Sequence, residues 1–151
     1  MTINGVKGIV FQTSPTVKIV SVKETKLKWS KVPQGVGATD QDNGKVNMDK
    51  IKSISDWQSK YPAFKWCADL GDGWYLPSIN ELRAIYNEKD RINQTLTTNK
   101  MKELGSASTL FCSSSEGASL NTLIGIHFLG GSTFWDYKDR VNAVRAVYEI
   151  K

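Results

Sequence analysis

The spacing of apolar residues changes rhythm along this chain, and each change marks an element. GVKGIVF (5–11) and TVKIVSVKE (16–24) mix β-branched and polar positions on either side of QTSP, the pattern of a β-hairpin. The Gly-rich run KVPQGVGATDQDNGK then shows no regular period and reads as loop. Two helical patterns follow. Residues 47–54 have Asn47 as a plausible cap, and residues 62–70 place Pro62 at the first helical position and stop before Gly71.

The best-marked element lies in GDGWYLPSINELRAIY (71–86). Asp72 between two glycines is a turn former, and Trp74 begins a short extended segment. Ser78 and Glu81, directly after Pro77, have capping-box spacing. Ile79, Leu82, Ile85 and Tyr86 then share one helical face, which must be buried. Each part of the stretch has a structural purpose and none offers a nucleophile or ligand set, so it reads as scaffold. A further helix is expected over 89–97.

The last third turns to a β rhythm. TLFCSSSE (109–116) reads as a strand. LIGIHF (123–128) alternates, which puts Ile124, Ile126 and Phe128 on one face and Leu123, Gly125 and His127 on the other. The turn LGGST leads into FWDYKDR (134–140), read as a loop, and NAVRAVYEI (142–150) closes as one terminal strand. Strands at both ends with helices between predict an α+β fold. No linker, repeat or low-complexity tract divides residues 1–151, so one domain is expected.

Composition narrows the function classes. Hydrophobic residues make up 40% and charged residues 23%, ordinary for a globular protein. No apolar run approaches a membrane span, and the start MTINGVKGIVF lacks the features of a signal peptide. The net charge of +5 comes from residues 1–60, where ten lysines face five acids. Their focus, KIVSVKETKLKWSK (18–31), could attract a polyanion. The simpler reading is a solvated strand pair whose lysines discourage edge pairing. Without Arg clusters and interleaved aromatics, nucleic acid is not expected. Cys67 and Cys112 sit among apolar residues, as buried thiols do. With His127 the single histidine and no CxxC, neither a zinc site nor another metal is expected. DQDNG (40–44) lacks the ligands of a calcium loop and reads as a turn. No cofactor is implied.

GDGWYLPSINELRAIYN, then CSSSE, an alternating apolar strand and NAVRAV resemble, in that order, the C-terminal domain of the Legionella collagen-like adhesin, the Lcl family. Members show W-x-LP-x-x-x-EL, an aromatic-Trp-Ser-Ser-Thr-Glu strand and a closing Val-Arg-Ala-Val. Here Cys112 stands where Trp is usual and Ser115 where Thr is frequent. The resemblance implies a C-type lectin-like fold, related to formylglycine-generating enzymes, with paired N- and C-terminal strands. It implies a surface or phage-tip adhesin, placed outside the cell, that binds a protein or glycan, sulfated polysaccharide included. Some relatives are variable proteins of diversity-generating retroelements, whose C-terminal third is rewritten on a fixed scaffold.

Catalysis finds little support. The enzymes of the related fold use a cysteine pair near the C-terminus, and this chain has no cysteine after Cys112. Cys112 or Ser113–Ser115 with His127 and Asp136, or Glu116 with Asp136 as a carboxylate couple, are assembled only by proximity in sequence. A noncatalytic binding module is the leading expectation. Its face would be Asn121, Leu123, Gly125, His127 and Leu129, the positions the core strand leaves free. Thr133, Trp135, Asp136, Tyr137 and Lys138 would add flat apolar rings and hydrogen-bonding groups. The competing reading packs this face on another subunit, making the chain an oligomerising tip protein. Trp74, Pro77, Ser78 and Glu81 are expected to be structural. Glu116 and Arg145, charges on core strands, are expected to pair with each other or share a network.

Overall fold

β-Branched residues build the first strands of the computed structural model, which describes residues 2–105 and 108–151. A short ribbon, β1 (Thr2–Ile3) with β2 (Val6–Lys7), precedes the expected hairpin of β3 (Ile9–Gln12) and β4 (Lys18–Val20). Ile9 faces Val20 and Val10 faces Ile19 across that hairpin. β5 (Thr25–Lys28) then leaves for a different sheet.

The helices follow their local signals, with two differences. α1 (Gly44–Lys52) starts earlier than expected, and its cap is Asn43, whose side chain accepts from the Lys45 N–H. Asn47 lies inside the helix, fully buried. Its amide accepts from Asp40 N–H at 2.9 Å and donates to Asp40 O at 2.7 Å and Ser114 Oγ at 2.9 Å, tying the Asp40 turn to a core strand. An asparagine that caps well also serves well as a buried two-way bridge, and spacing alone does not tell the two apart. The second difference is a short unforeseen helix, α2 (Trp57–Lys60). α3 (Pro62–Asp69) begins at Pro62 and buries Ala63, Phe64 and Cys67. α4 (Ile79–Asn87) carries the full capping box, with Ser78 accepting from Glu81 N–H and Glu81 accepting from Ser78 N–H. α5 (Lys89–Thr98) completes the helical part.

Glu81 does more than cap. Its buried carboxylate also accepts from Gly44 N–H at 2.7 Å, from Tyr75 Oη at 2.6 Å and from Lys18 Nζ at 2.7 Å. One side chain thus joins the hairpin, α1 and α4. Lys18 is thereby removed from the basic surface read in the sequence. Burial, and then the Glu81 carboxylate beside it, push the Tyr75 hydroxyl well above its usual pKa.

The remaining strands are β6 (Leu110–Glu116), β7 (Thr122–His127), β8 (Thr133–Tyr137), β9 (Val141–Val144) and β10 (Val147–Glu149). Two of these correct the sequence reading. FWDYKDR enters a strand, and the terminal strand is broken in two. The break falls at Arg145, whose guanidinium turns inward to the carbonyls of Ser21, Lys102 and Glu103 and to Glu24 at 3.0 Å. That turn moves the chain between sheets. β10 pairs with β4 in the order β10-β4-β3, while β9 joins the order β5-β9-β6-β7-β8. The C-terminal strand therefore pairs with the second strand of the N-terminal hairpin, Val147 opposite Val20, while β1 pairs only with β2. Tyr75 and Val147 exchange main-chain hydrogen bonds at 2.9 and 2.8 Å, which locks the approach to α4 against the terminus. The architecture is α+β, and its apolar core joins both larger sheets to the helices through Trp29, Phe64, Leu76, Leu82, Phe111 and Val147.

Candidate functional site

β7 and β8 form a hairpin with unbroken register, in which Thr122 faces Tyr137, Ile124 faces Trp135 and Ile126 faces Thr133. These pairs share one side of the sheet. Over their outer end lies a groove of about 570 Å³, bounded by the turn residues Gly117 and Ser119, floored by Thr122 and Ile124, and walled by Trp135 and Tyr137. Trp135 is 65% exposed and Tyr137 43%. Their rings stand edge to face, 5.7 Å between centroids and 87° between planes, so each holds the other upright. The Arg140 guanidinium lies 5.8 Å from the Tyr137 ring. Large apolar rings held open to water cost free energy unless something covers them, which makes this a site-like surface among the described residues.

The structure redraws the face expected from the sequence. Leu123 is fully buried, and so is Ile126 on the opposite side of β7. β7 is an inner strand covered on both faces over most of its length, and alternation reveals which residues share a face but not which face is open. Gly125 is closed off as well: a Cβ there would stand 2.5 Å from the Phe134 ring carbons. Ile124, expected in the core, is half-buried and floors the groove. Phe128 is buried, its ring 4.5 Å from Phe111 and 5.2 Å from Tyr86. His127 is half-buried, with Nδ1 at 3.0 Å from the Leu129 carbonyl oxygen, while Leu129 itself is exposed in the following turn. Asn121 is half-buried, and its main-chain carbonyl accepts from Lys138 N–H.

Lys138, expected to reach a ligand, is fully buried. Its ammonium donates to Glu116 at 2.6 Å and to the carbonyls of Gln34 and Leu120 at 2.8 Å, above the Trp29 ring. Burial lowers its pKa, and the Glu116 carboxylate pulls it back up. Glu116 also accepts from the N–H groups of Val36 and Ala38. The expected pairing of Glu116 with Arg145 is therefore wrong: Glu116 pairs with Lys138, and Arg145 pairs with Glu24 in a separate network. Both buried charges needed a partner, but nearer ones were available on adjoining loops. Asp136 is half-buried and binds Tyr137 N–H, Asn142 and Arg140. Of the expected set, Thr133, Trp135 and Tyr137 remain on the open face. Ile124, the buried Thr122 and the turn residue Ser119 complete the lining, and the hairpin register is the signal that would have placed Thr122 and Ile124 there.

The residues considered for catalysis are held in separate structural roles. Ser113 Oγ donates to Ile124 O, Ser115 Oγ donates to Asp40 O, and Ser114 Oγ accepts from Asn47. Cys112 and Cys67 are free and buried, and burial pushes the Cys112 thiol up to about 12. Among the described residues, no group of three or more His, Cys, Asp or Glu side chains is placed to hold a metal ion. No helix among them is long and apolar enough to cross a membrane.

The fold is shared with a fimbrial protein from Bacteroides ovatus, at a TM-score of 0.71 and 17% sequence identity. The likeness covers 89% of this chain and 36% of that one, so this chain spans about a third of its length. No protein-family model matches the chain. No curated protein matches it either.

Proposed function

We infer that this chain is a noncatalytic ligand-binding module of surface-adhesin type, a single domain over residues 1–151 with a C-type lectin-like fold of the Lcl kind. The motifs GDGWYLPSINEL, CSSSE and NAVRAV and the pairing of the two chain ends support the family part of this reading. The fold shared with a fimbrial protein supports a place on a surface appendage. The observation that carries the binding part is the groove beside Trp135 and Tyr137, whose open rings, hydroxyl-bearing rim and apolar floor suit a sugar ring or an apolar side chain of a protein.

The test is a glycan and surface-protein array probed with the parent chain and with Trp135→Ala/Tyr137→Ala. The double variant is expected to fold and to lose the ligand. A folded double variant that still binds removes the groove as the site. A second reading draws on the exposed Lys23, Lys26, Lys28 and Lys31, which could hold a sulfated polysaccharide. Binding there would fall steeply with added salt and ignore the Trp135/Tyr137 change.

A further inference from the structure

β8 is the last strand of its sheet, so one side of its backbone has no strand beside it. The hairpin bonds tell which residues point that way. His127 N–H donates to Ser132 O, and Lys138 N–H donates to Asn121 O. With register unbroken between these points, residues 132, 134, 136 and 138 face β7, and 133, 135 and 137 face outward. Tyr137 has both outward groups satisfied, its N–H by the Asp136 carboxylate and its carbonyl by Arg140 N–H. The N–H and C=O of Thr133 and Trp135 have no partner among the described residues. β8 also lacks several usual guards of an open edge: it has no lysine, no proline and no bulge against β7, and its one charge, Asp136, is held by Arg140 and Tyr137 N–H.

We propose that β8 pairs with β8 of a second copy of this chain, antiparallel, about a two-fold axis passing beside Phe134. That register sets Thr133 of each copy opposite Trp135 of the other. Both are outward-facing residues, so each pair exchanges two main-chain hydrogen bonds and no free group is left over. The edge is thus complementary to itself, a stronger condition than being open. On the groove side, Trp135 lies diagonal to Trp135 of the second copy, within reach for large rings, and Tyr137 extends the row at both ends. Ser132 comes opposite Asp136, whose charge is already balanced by Arg140 at 3.5 Å, so no like charges oppose each other across the axis. The result is one continuous sheet through both copies, with the two grooves on the same side. The contact is small, of the transient class.

The whole chain, without ligand, is followed by sedimentation velocity from micromolar to millimolar concentration and by amide NMR over the same range. A monomer–dimer equilibrium is expected, with the Thr133 and Trp135 amides gaining protection from exchange as concentration rises while the Tyr137 amide stays unchanged. Thr133→Pro removes an outward N–H that the hairpin does not use, so it is expected to keep the fold and to weaken the dimer about tenfold or more. Should that variant not fold, Thr133→Lys puts on β8 the charge that guards the opposite edge and is expected to weaken the dimer likewise. A chain that stays monomeric to millimolar concentration overturns the proposal. So does a dimer indifferent to both substitutions, or one that protects amides away from 133–135. Self-association is read without ligand, so its failure leaves the groove reading intact, and failure of the array test leaves this one intact.

Discussion

β5 and β8 are the two outer strands of the same five-stranded sheet, so each has a side with no neighbouring strand among the described residues. In β5 the exposed positions are Lys26 and Lys28, alternating with half-buried Thr25 and Leu27. In β8 they are Thr133, Trp135 and Tyr137, alternating with half-buried Phe134 and Asp136. The strand pattern is the same, and only the residues on the open positions differ. A second strand laid on β5 must desolvate or crowd ammonium groups, whereas one laid on β8 meets aromatic surface. Each edge is also anchored at one end by a buried ion pair: Glu24 with Arg145 at 3.0 Å just before β5, and Lys138 with Glu116 at 2.6 Å just after β8. The scaffold treats the two edges alike, and the surface treats them oppositely.

The largest effect expected from disturbing this arrangement lies at the anchors. Glu116→Ala leaves the Lys138 ammonium buried without its counter-charge and strips the acceptor from Val36 and Ala38 N–H, at a cost of about 3–5 kcal/mol. Denaturant unfolding measures it, and a loss below about 1 kcal/mol would mean that the pair does not hold the β8 end. Replacing both partners by apolar residues of similar size should recover much of the loss, because the isolated charge is the expensive part. Glu24→Ala, which strands Arg145, should cost a similar amount at the β5 end. An intermediate effect is expected between β7 and β8. Gly125→Ala drives a methyl into the Phe134 ring and the Phe111 carbonyl, costing about 1–3 kcal/mol. Thermal unfolding reports it, and adding Phe134→Ala should relieve only the ring part of the clash, because the Phe111 main-chain carbonyl stays in the way.

What was legible in the sequence divides along physical lines. Signals confined to a few neighbours were readable: Pro62 at a helix start, Ser78 with Glu81 as a capping box, and the first hairpin from its β-branched runs. Asn47 was misread because a cap and a buried bridge ask for the same side chain, and the better cap stood four residues earlier. In β7 the period was legible, but Leu123 and Ile126 show that burial depends on what packs above and below, which no local pattern carries. That Glu116 and Arg145 each needed a partner followed from their setting, yet the partners sit on loops far away in the chain. Lys138 carried no mark separating it from a surface lysine. Trp135 and Tyr137 stood out by residue type, while their place on an open edge depended on the strand order.

The smallest effect on stability, and the most direct test of the contrast between edges, comes from Lys26→Thr/Lys28→Thr. Both side chains are exposed and neither makes an ion pair among the described residues, so unfolding free energy should change by no more than about 0.5 kcal/mol. Threonine suits a strand at least as well as lysine, so β5 should keep its pairing with β9. What changes is the guard. Without its ammonium groups the β5 edge becomes a second open template, and each molecule then has two pairing edges instead of one. A chain that joins only through β8 stops at a closed pair, because a two-fold contact uses the same surface on both copies. A chain with both edges open can continue, so light scattering at fixed concentration should rise past the dimer into open-ended association. Adding Thr133→Lys to the double variant should return growth to pairs joined through β5. If the double variant scatters no more than the parent, the lysines are not what keeps β5 apart, and the difference between the edges must lie in the shape of the sheet.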